Sequence, residues 1–109
     1  MKALVAASLA AGLLFAAPAT FASQELATKK GCLACHQLQK AVVGPAYKDV
    51  AAKYAGQADA VDKLSNSILK GSTGVWKMPM PMMPPQGAPT GKVTPEEAKQ
   101  LAEWVLTIK

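Results

Sequence analysis

Residues 31–36 of the chain read GCLACH, and this stretch holds both cysteines and the only histidine of the 109-residue sequence. A disulfide between Cys32 and Cys35 would close a loop of only a few residues, and the stability that a disulfide provides grows with the length of that loop. The two thiols are therefore not expected to form a structural bridge. Their spacing instead sets the two sulfurs about one helical turn apart, next to the imidazole of His36.

The pattern Cys-x-x-Cys-His is the attachment sequence of c-type haem, in which each thiol adds to one vinyl group and the histidine binds the iron. Two other uses of these residues fit less well. A structural zinc site needs about four ligands, normally Cys and His, and this chain supplies three. A thioredoxin-like redox pair is expected beside alternating strands and helices, and no strand pattern is visible. The motif therefore predicts one haem c attached through Cys32 and Cys35, with His36 on the iron.

The first 22 residues are typical of a secretory signal peptide. Lys2 gives a positive start, residues 3–17 are almost entirely apolar, and small residues around Ala22 suit cleavage. The apolar run is shorter than the roughly 20 residues that a membrane span requires. We expect a signal peptide at 1–22 and a monohaem domain at 23–109, exported to the periplasm without stable membrane insertion.

The charge pattern argues against a nucleic-acid partner. The chain has 12 basic residues, all of them lysine, and 7 acidic residues. Removal of the expected signal peptide takes away Lys2, which leaves 11 basic and 7 acidic residues and a net charge of +4. Arginines for bidentate phosphate contacts are absent, and aromatic residues are few. A face of lysines would instead steer an acidic protein partner, although lysines serve equally well to keep a surface hydrated.

Helical signals predict an all-α domain with about four short helices. Apolar residues recur at helical spacing from about residue 24 into the cysteine motif, at 47–54, at about 59–70, and at 95–108. Ser23 is expected to cap the first helix, and Gly71 to end the third. The sequence Thr94-Pro95-Glu96-Glu97 combines an N-cap hydroxyl, a proline at the first helical position and a capping-box glutamate, and it starts the fourth.

The segment between the third and fourth helices, residues 71–93, carries five prolines and four methionines. It is long for a connection without secondary structure, so something is expected to hold it in place. The domain of about 87 residues also has little apolar surface of its own to bury. A large, flat, apolar cofactor would meet both needs.

The methionines of this segment are candidates for the second axial ligand of the iron. A bis-histidine site is excluded because the chain has no second histidine, and a thioether is a ligand that raises the reduction potential. At least three of the four methionines, Met78, Met80, Met82 and Met83, are expected to fill irregular gaps over the haem. A methionine-rich Cu(I) site is an alternative, because soft thioethers suit that ion.

From Gly31 onward the chain resembles the small bacterial monohaem class I cytochromes c, the periplasmic carriers that pass electrons to nitrite reductases and terminal oxidases. The segments that carry this resemblance are GCLACH at 31–36, VGPAYKDVAAKYAG at 43–56, GVW at 74–76, MPPQ at 83–86 and the closing EWVLTIK. Only the first is generic, and together they are specific. The resemblance implies the class I cytochrome c fold, about four short helices wrapped around one covalently attached haem.

The resemblance also singles out one methionine. In this family the axial methionine is followed by two prolines and an amide residue, which here fits Met83. The family usually places a proline directly before that methionine, which here describes Met82, and the loop is longer than usual. Met83 is therefore the expected ligand, with Met82 as the alternative.

Three further residues receive roles by resemblance. The carbonyl of Pro45 is expected to accept the free N–H of His36, which fixes the ring and raises its basicity. Trp76 is expected to donate its indole N–H to a haem propionate, and Gln86 to hydrogen-bond near the methionine sulfur. Plain packing is the alternative for Trp76 and Gln86.

The implied function is outer-sphere electron transfer by a monomer, with iron cycling between ferric and ferrous states. Six-coordinate iron leaves no position for a substrate, so the protein is not expected to be an enzyme. The expected partners are redox proteins, with a membrane cytochrome complex as donor and a reductase or terminal oxidase as acceptor. Three alternatives stay open: a sensor or enzyme with a labile sixth site, a fixed module of a larger complex, and a methionine-rich copper protein.

Overall fold

The structure, a computed structural model, describes residues 19–109, with side chains from residue 23 onward. Most of the predicted signal peptide, residues 1–18, lies outside the described residues, and that assignment stays a prediction. The described chain forms four α-helices: α1 (Ala19–Lys29), α2 (Tyr47–Tyr54), α3 (Ala60–Lys70) and α4 (Pro95–Val105). A 3₁₀ turn occupies Cys32–Ala34, and a two-residue antiparallel ladder joins β1 (Ser72–Thr73) to β2 (Met82–Met83). The predicted all-α class is confirmed.

Helix α4 organises the core. It packs against α1 and α3, and α2 also contacts it. Its buried face carries apolar residues at helical spacing: Ala98, Leu101, Ala102, Trp104 and Val105. Tyr47 and Val50 of α2 and Leu64 of α3 join the same cluster. These contacts hold the three C-terminal helices and the segment after α1 around one cleft. Within residues 19–109, no helix is both long enough and apolar enough to cross a bilayer.

The start of α1 differs from the prediction. The helix begins at Ala19, and Ser23 lies inside it at 8% exposure. The prediction that Ser23 caps this helix is therefore wrong. Alanine is the best helix former, and the alanines at positions 19 and 22 support a helix that continues backwards through the expected cap. The bounds predicted for α2 and α3 agree with the structure to within one residue.

The capping box at the start of α4 links this helix to α1. Thr94 Oγ1 accepts the backbone N–H of Glu97 at 3.2 Å, and a Glu97 carboxylate oxygen accepts the N–H of Thr94 at 3.0 Å. The other carboxylate oxygen lies 3.2 Å from the ammonium of Lys30, the residue after the end of α1. The hydrogen bond from Thr94, followed by that from Lys30, lowers the pKa of Glu97.

We expect Glu97→Gln to reduce the acid sensitivity of folding. A carboxyl group with a lowered folded-state pKa stabilises the fold above its unfolded pKa of about 4.3, and this stabilisation is lost as the pH falls through the folded value. Glutamine keeps an oxygen for the Thr94 N–H but does not titrate. Between about pH 6 and about pH 3, the urea midpoint of Glu97→Gln should therefore fall less than that of the unsubstituted protein.

The matched control is Glu103→Gln, which makes the same charge change at an exposed position of α4. This control should keep the pH dependence of the unsubstituted protein. Equal pH dependence in Glu97→Gln and the unsubstituted protein would contradict the role assigned to this carboxylate.

Candidate functional site

A cleft of about 440 Å³ lies between the cysteine motif, helices α2, α3 and α4, and the 71–93 segment. Most of its lining is apolar and comes from the core face of the helices, including Val50, Leu64, Ile68, Leu101 and Val105. All seven residues singled out from the sequence line it: Cys32, Cys35, His36, Pro45, Trp76, Met83 and Gln86. The fold thus brings residues from both halves of the domain to one site.

The cysteine motif forms a tight turn directly after α1. Within it, the carbonyl of Cys32 accepts the backbone N–H groups of Cys35 at 3.2 Å and of His36 at 3.0 Å. Both thiols are free; Cys32 is half-buried and Cys35 is exposed. Burial raises the pKa of the Cys32 thiol. The turn therefore presents two reduced sulfurs and one imidazole along the same side of the cleft.

The imidazole of His36 is held by two contacts. Its Nδ1 lies 2.9 Å from the carbonyl oxygen of Pro45, and its ring stacks on Tyr47 with centroids 4.7 Å apart and an interplanar angle of 15°. A carbonyl oxygen only accepts hydrogen bonds, so Nδ1 carries the proton and Nε2 keeps its lone pair. Burial lowers the pKa of His36, which favours this neutral form. Nε2 is therefore the ring nitrogen whose lone pair is available to bind a metal ion.

Gly44 lets the backbone pass close to this ring. A Cβ atom at position 44 would lie 2.5 Å from His36 Cε1 and 2.8 Å from Nδ1. The ring has little room to move away, because Tyr47 stacks on it and the Pro45 carbonyl accepts a hydrogen bond from its Nδ1–H. A side chain at position 44 would therefore displace either the ring or the loop that holds the Pro45 carbonyl.

We expect Gly44→Ala to destabilise the site. Overpacking in an ordered core typically costs about 1–3 kcal/mol, and the same shift would lengthen the bond from Nδ1 to Pro45. Urea denaturation of the cofactor-loaded protein should show this loss, and the yield of loaded protein should fall. Val42→Ala, a side-chain change at an exposed position of the same loop that does not line the cleft, is the control. Equal stability of the two variants would contradict the steric argument.

The four methionines of the 71–93 segment all line the cleft, but they differ in exposure. Met78 and Met83 are half-buried, whereas Met80 and Met82 are 60% and 58% exposed. Met83 pairs with Ser72 and Met82 with Thr73 in the β1–β2 ladder. Because successive side chains of a strand point to opposite faces, the half-buried Met83 and the exposed Met82 lie on different sides of the ladder.

The other two expected site residues occupy defined positions in the same segment. Trp76 is half-buried, and the ammonium of Lys53 lies 5.1 Å from the centroid of its ring. The side-chain amide of Gln86 donates to the carbonyl of Pro84 at 2.9 Å, and its backbone N–H donates to Ile68 at 2.9 Å. The described contacts therefore attach Gln86 to the end of α3, with its side chain turned to the Pro84 carbonyl.

Tyr47 is a site residue that the sequence patterns did not predict. Besides stacking on His36, its ring packs edge-on against Trp104 at 5.4 Å, and its proximity to the Cys32 thiol opposes the rise that burial causes in the pKa of that thiol. Burial raises the pKa of Tyr47 itself. No spacing rule links a tyrosine eleven positions after a histidine to that ring. The available signal was only that Tyr47 starts a helix whose inner face is apolar.

The donor set fits a covalently attached haem. Two free thiols, an imidazole nitrogen with an available lone pair and a half-buried thioether line one apolar cleft. Thiols attach the porphyrin, and imidazole and thioether are known axial ligands. The close approach of the backbone at Gly44 supports the ring that would bind the iron.

The chain matches the family model described as cytochrome c over residues 22–109. It is 57% identical over 91 residues to cytochrome c-552 of Hydrogenobacter thermophilus, covering 83% of this chain and 85% of the relative. It is 49% identical over 102 residues to cytochrome c-551 of Pseudomonas aeruginosa, covering 93% and 91%. The crystal structure of wild-type Nitrosomonas europaea cytochrome c552 superposes with a TM-score of 0.71 at 48% identity, over 79% of this chain and 99% of that one.

Proposed function

Because this chain belongs to the cytochrome c family, with one c-type haem attached through Cys32 and Cys35, we propose that it is a periplasmic electron carrier with His36 and Met83 as axial ligands. The earlier resemblance to class I cytochromes c is confirmed by the same similarities. The observation that carries the proposal is the single cleft lined by both the cysteine motif and the Met83 segment. Haem iron supplies one-electron chemistry, and the residues of the chain determine its ligands and surroundings.

Pro45 has the role of orienting His36. Its carbonyl accepts the Nδ1–H of the ring at 2.9 Å, which fixes the tautomer and increases electron donation from Nε2. Tyr47 limits rotation of the ring from one face. A histidine held in this way would need to move little between the two oxidation states of a bound iron, which would limit rearrangement during electron transfer.

The burial of its side chain and its pairing in the β1–β2 ladder favour Met83 over Met82 as the axial ligand. Both side chains line the cleft, but that of Met83 is half-buried, whereas that of Met82 is 58% exposed and belongs to the alternate face of β2. The backbone of Met83 is held by its pairing with Ser72. A thioether ligand raises the potential relative to a second imidazole, which suits a carrier that delivers electrons to an oxidase or reductase.

Trp76 and Gln86 have supporting roles in this proposal. Trp76 would donate its indole N–H to a haem propionate, and the ammonium of Lys53 lies over its ring at 5.1 Å, a cation–π contact. Gln86 holds the loop that follows Met83 through its bonds to Pro84 and Ile68.

The surroundings of the cleft suit brief contacts with redox proteins. Val43 and Val75 are exposed beside it, at 43% and 46%, and the chain carries an excess of lysines. Redox encounters use small interfaces, below about 1,200 Å² in total, and lysines speed the approach of an acidic partner. We propose a membrane cytochrome complex as donor and a reductase or terminal oxidase as acceptor, with the protein exported by its predicted signal peptide.

The proposal is tested on the exported protein purified from cells that mature c-type cytochromes. We expect one covalently bound haem per chain, a low-spin spectrum in both oxidation states and a weak methionine-to-iron charge-transfer band in the ferric form. The ferrous form should not bind carbon monoxide at neutral pH, because both axial positions are filled. A high-spin ferric spectrum with rapid carbon monoxide binding would instead support the sensor or enzyme alternative.

A further inference from the structure

We propose that the ammonium of Lys92 raises the reduction potential of the protein by placing one positive charge at the edge of the cleft. This inference rests on the proposed carrier function and goes beyond it, because it names a residue that tunes the redox equilibrium without binding the iron. Lys92 is the only lysine, aspartate or glutamate among the described residues that line the cleft. The carrier function so far gives this charge no role.

The backbone on both sides of Lys92 is fixed by hydrogen bonds. The N–H of Val93 donates to the carbonyl of Gln86 at 2.8 Å, and the N–H of Gly91 donates to the carbonyl of Gly87 at 2.8 Å. These two bonds close the chain between them into a loop. The side chain of Val93 is 2% exposed and belongs to the core. The loop therefore holds Lys92 at one place on the rim of the cleft.

The ammonium of Lys92 lies over the cysteine motif. Its Nζ atom is 3.2 Å from the point that a Cβ atom of residue 31 would occupy, and Gly31 directly precedes Cys32. The charge of Lys92 opposes the rise that burial causes in the pKa of the Cys32 thiol, so its field reaches that sulfur. Because Cys32 is one of the two attachment points of the haem, the ammonium would act on the porphyrin from close range.

The charge of Lys92 has no local counter-charge. Among the side chains that the structure describes, no carboxylate forms an ion pair with it. The segment between α3 and α4, residues 71–93, contains no aspartate or glutamate. Lys30, which is also close to the motif in the sequence, differs because Glu97 lies 3.2 Å from its ammonium. Lys92 therefore contributes a full positive charge at the cleft.

The sign of the effect follows from Coulomb's law. Uptake of one electron from a donor protein lowers the positive charge in the cleft by one. A nearby fixed cation repels the oxidised state more strongly than the reduced state, so it favours reduction. Lys92 thus acts in the same direction as a thioether ligand, which also raises the potential.

The size of the effect is limited by solvent. The side chain of Lys92 is exposed, so water and salt screen its field. Even in water, a unit charge roughly 10 Å from another changes an equilibrium by about twofold. Salt weakens such an interaction further, because the Debye length falls from about 30 Å at 0.01 M to about 3 Å at 1 M. We therefore expect a modest shift that depends on ionic strength.

The test is a spectroelectrochemical titration of the purified haem protein and of Lys92→Gln. At about 0.01 M salt, the substitution should shift the redox equilibrium at least about twofold toward the oxidised form. This shift is a fall of about 18 mV, at 59 mV per tenfold change for one electron. The difference between the two proteins should shrink at about 1 M salt. Lys92→Arg, which keeps the charge, should keep the potential of the unsubstituted protein.

Lys99→Gln is the matched control, because it makes the same charge change at an exposed position of α4 that does not line the cleft. It should shift the equilibrium less than Lys92→Gln. The proposal is overturned if the two glutamine variants shift it equally, or if Lys92→Arg lowers the potential as much as Lys92→Gln. Loss of the methionine-to-iron band in Lys92→Gln would also overturn it, because Lys92 would then have a structural role.

Failure of this inference is distinguishable from failure of the carrier function. A purified protein without a reversible one-electron couple would overturn the carrier function itself. A reversible couple with an intact methionine-to-iron band that Lys92→Gln leaves unshifted would overturn only the role of Lys92.

Discussion

Cys32→Ala/Cys35→Ala is expected to abolish the cooperative fold of this cytochrome c. Without the two thiols the haem has no covalent attachment, and the cleft of about 440 Å³ at the centre of the domain has no fixed occupant. Far-UV circular dichroism at 25 °C should show a large loss of helix, and thermal unfolding should lack a sigmoidal transition. This is the largest effect that we expect from any substitution in the chain.

The expected size of the effect follows from the cleft volume. An empty cavity costs about 24 cal/mol per Å³, so 440 Å³ corresponds to an upper value of about 11 kcal/mol for a closed cavity. Whole domains are stable by only about 5–15 kcal/mol. Water that entered the open cleft would lower this cost, but the apolar inner faces of α3 and α4 would then be exposed to solvent. The remaining core is too small to compensate.

The control for this prediction keeps both thiols. Ala34→Ser changes the exposed residue between them and leaves Cys32, Cys35 and His36 intact, so it should give a haem-loaded, folded protein. If Cys32→Ala/Cys35→Ala purified without haem and still melted cooperatively near the temperature of the control, the haem would not be needed to complete the core.

Local signals in the sequence predicted the helices well because those signals act within one turn. The hydroxyl, proline and glutamate at 94–97 form the predicted capping box, and Gly71, with φ of +80°, ends α3 as expected. Ser23 shows the limit of such signals. A serine can cap a helix or lie within it, and here the alanines that precede it extend the helix.

The sequence indicated which residues would line the cleft, but it did not indicate how their side chains would be arranged there. The spacing of Cys32, Cys35 and His36 is itself the chemical signal, whereas the stacking of Tyr47 on His36 depends on how α2 packs. The β1–β2 ladder has two residues in each strand, which is too short to produce an alternating pattern. Its register, which distinguishes the faces of Met82 and Met83, therefore became visible only in the folded chain.

Met83→Ala is expected to remove the sixth ligand of the iron while leaving the haem attached. Gly71 and the ladder support this proposed role for Met83: a Cβ atom at position 71 would lie 2.6 Å from the Met83 carbonyl oxygen. Only a glycine allows the end of α3 to approach β2 so closely. Together with the pairing to Ser72, this approach fixes the backbone of Met83 beside the cleft.

The measurements for Met83→Ala are the ferric spectrum and the reduction potential. The methionine-to-iron band should disappear, the ferrous form should gain carbon monoxide binding, and the potential should fall by a few tenths of a volt, within the roughly 0.8 V that axial ligands span. Met82→Ala removes the same side chain from the exposed face of β2 and should leave all three properties unchanged. The reverse result, with Met82→Ala losing the band and Met83→Ala keeping it, would move the ligand by one residue. It would place the ligand on the other face of β2, because successive side chains of a strand point to opposite faces.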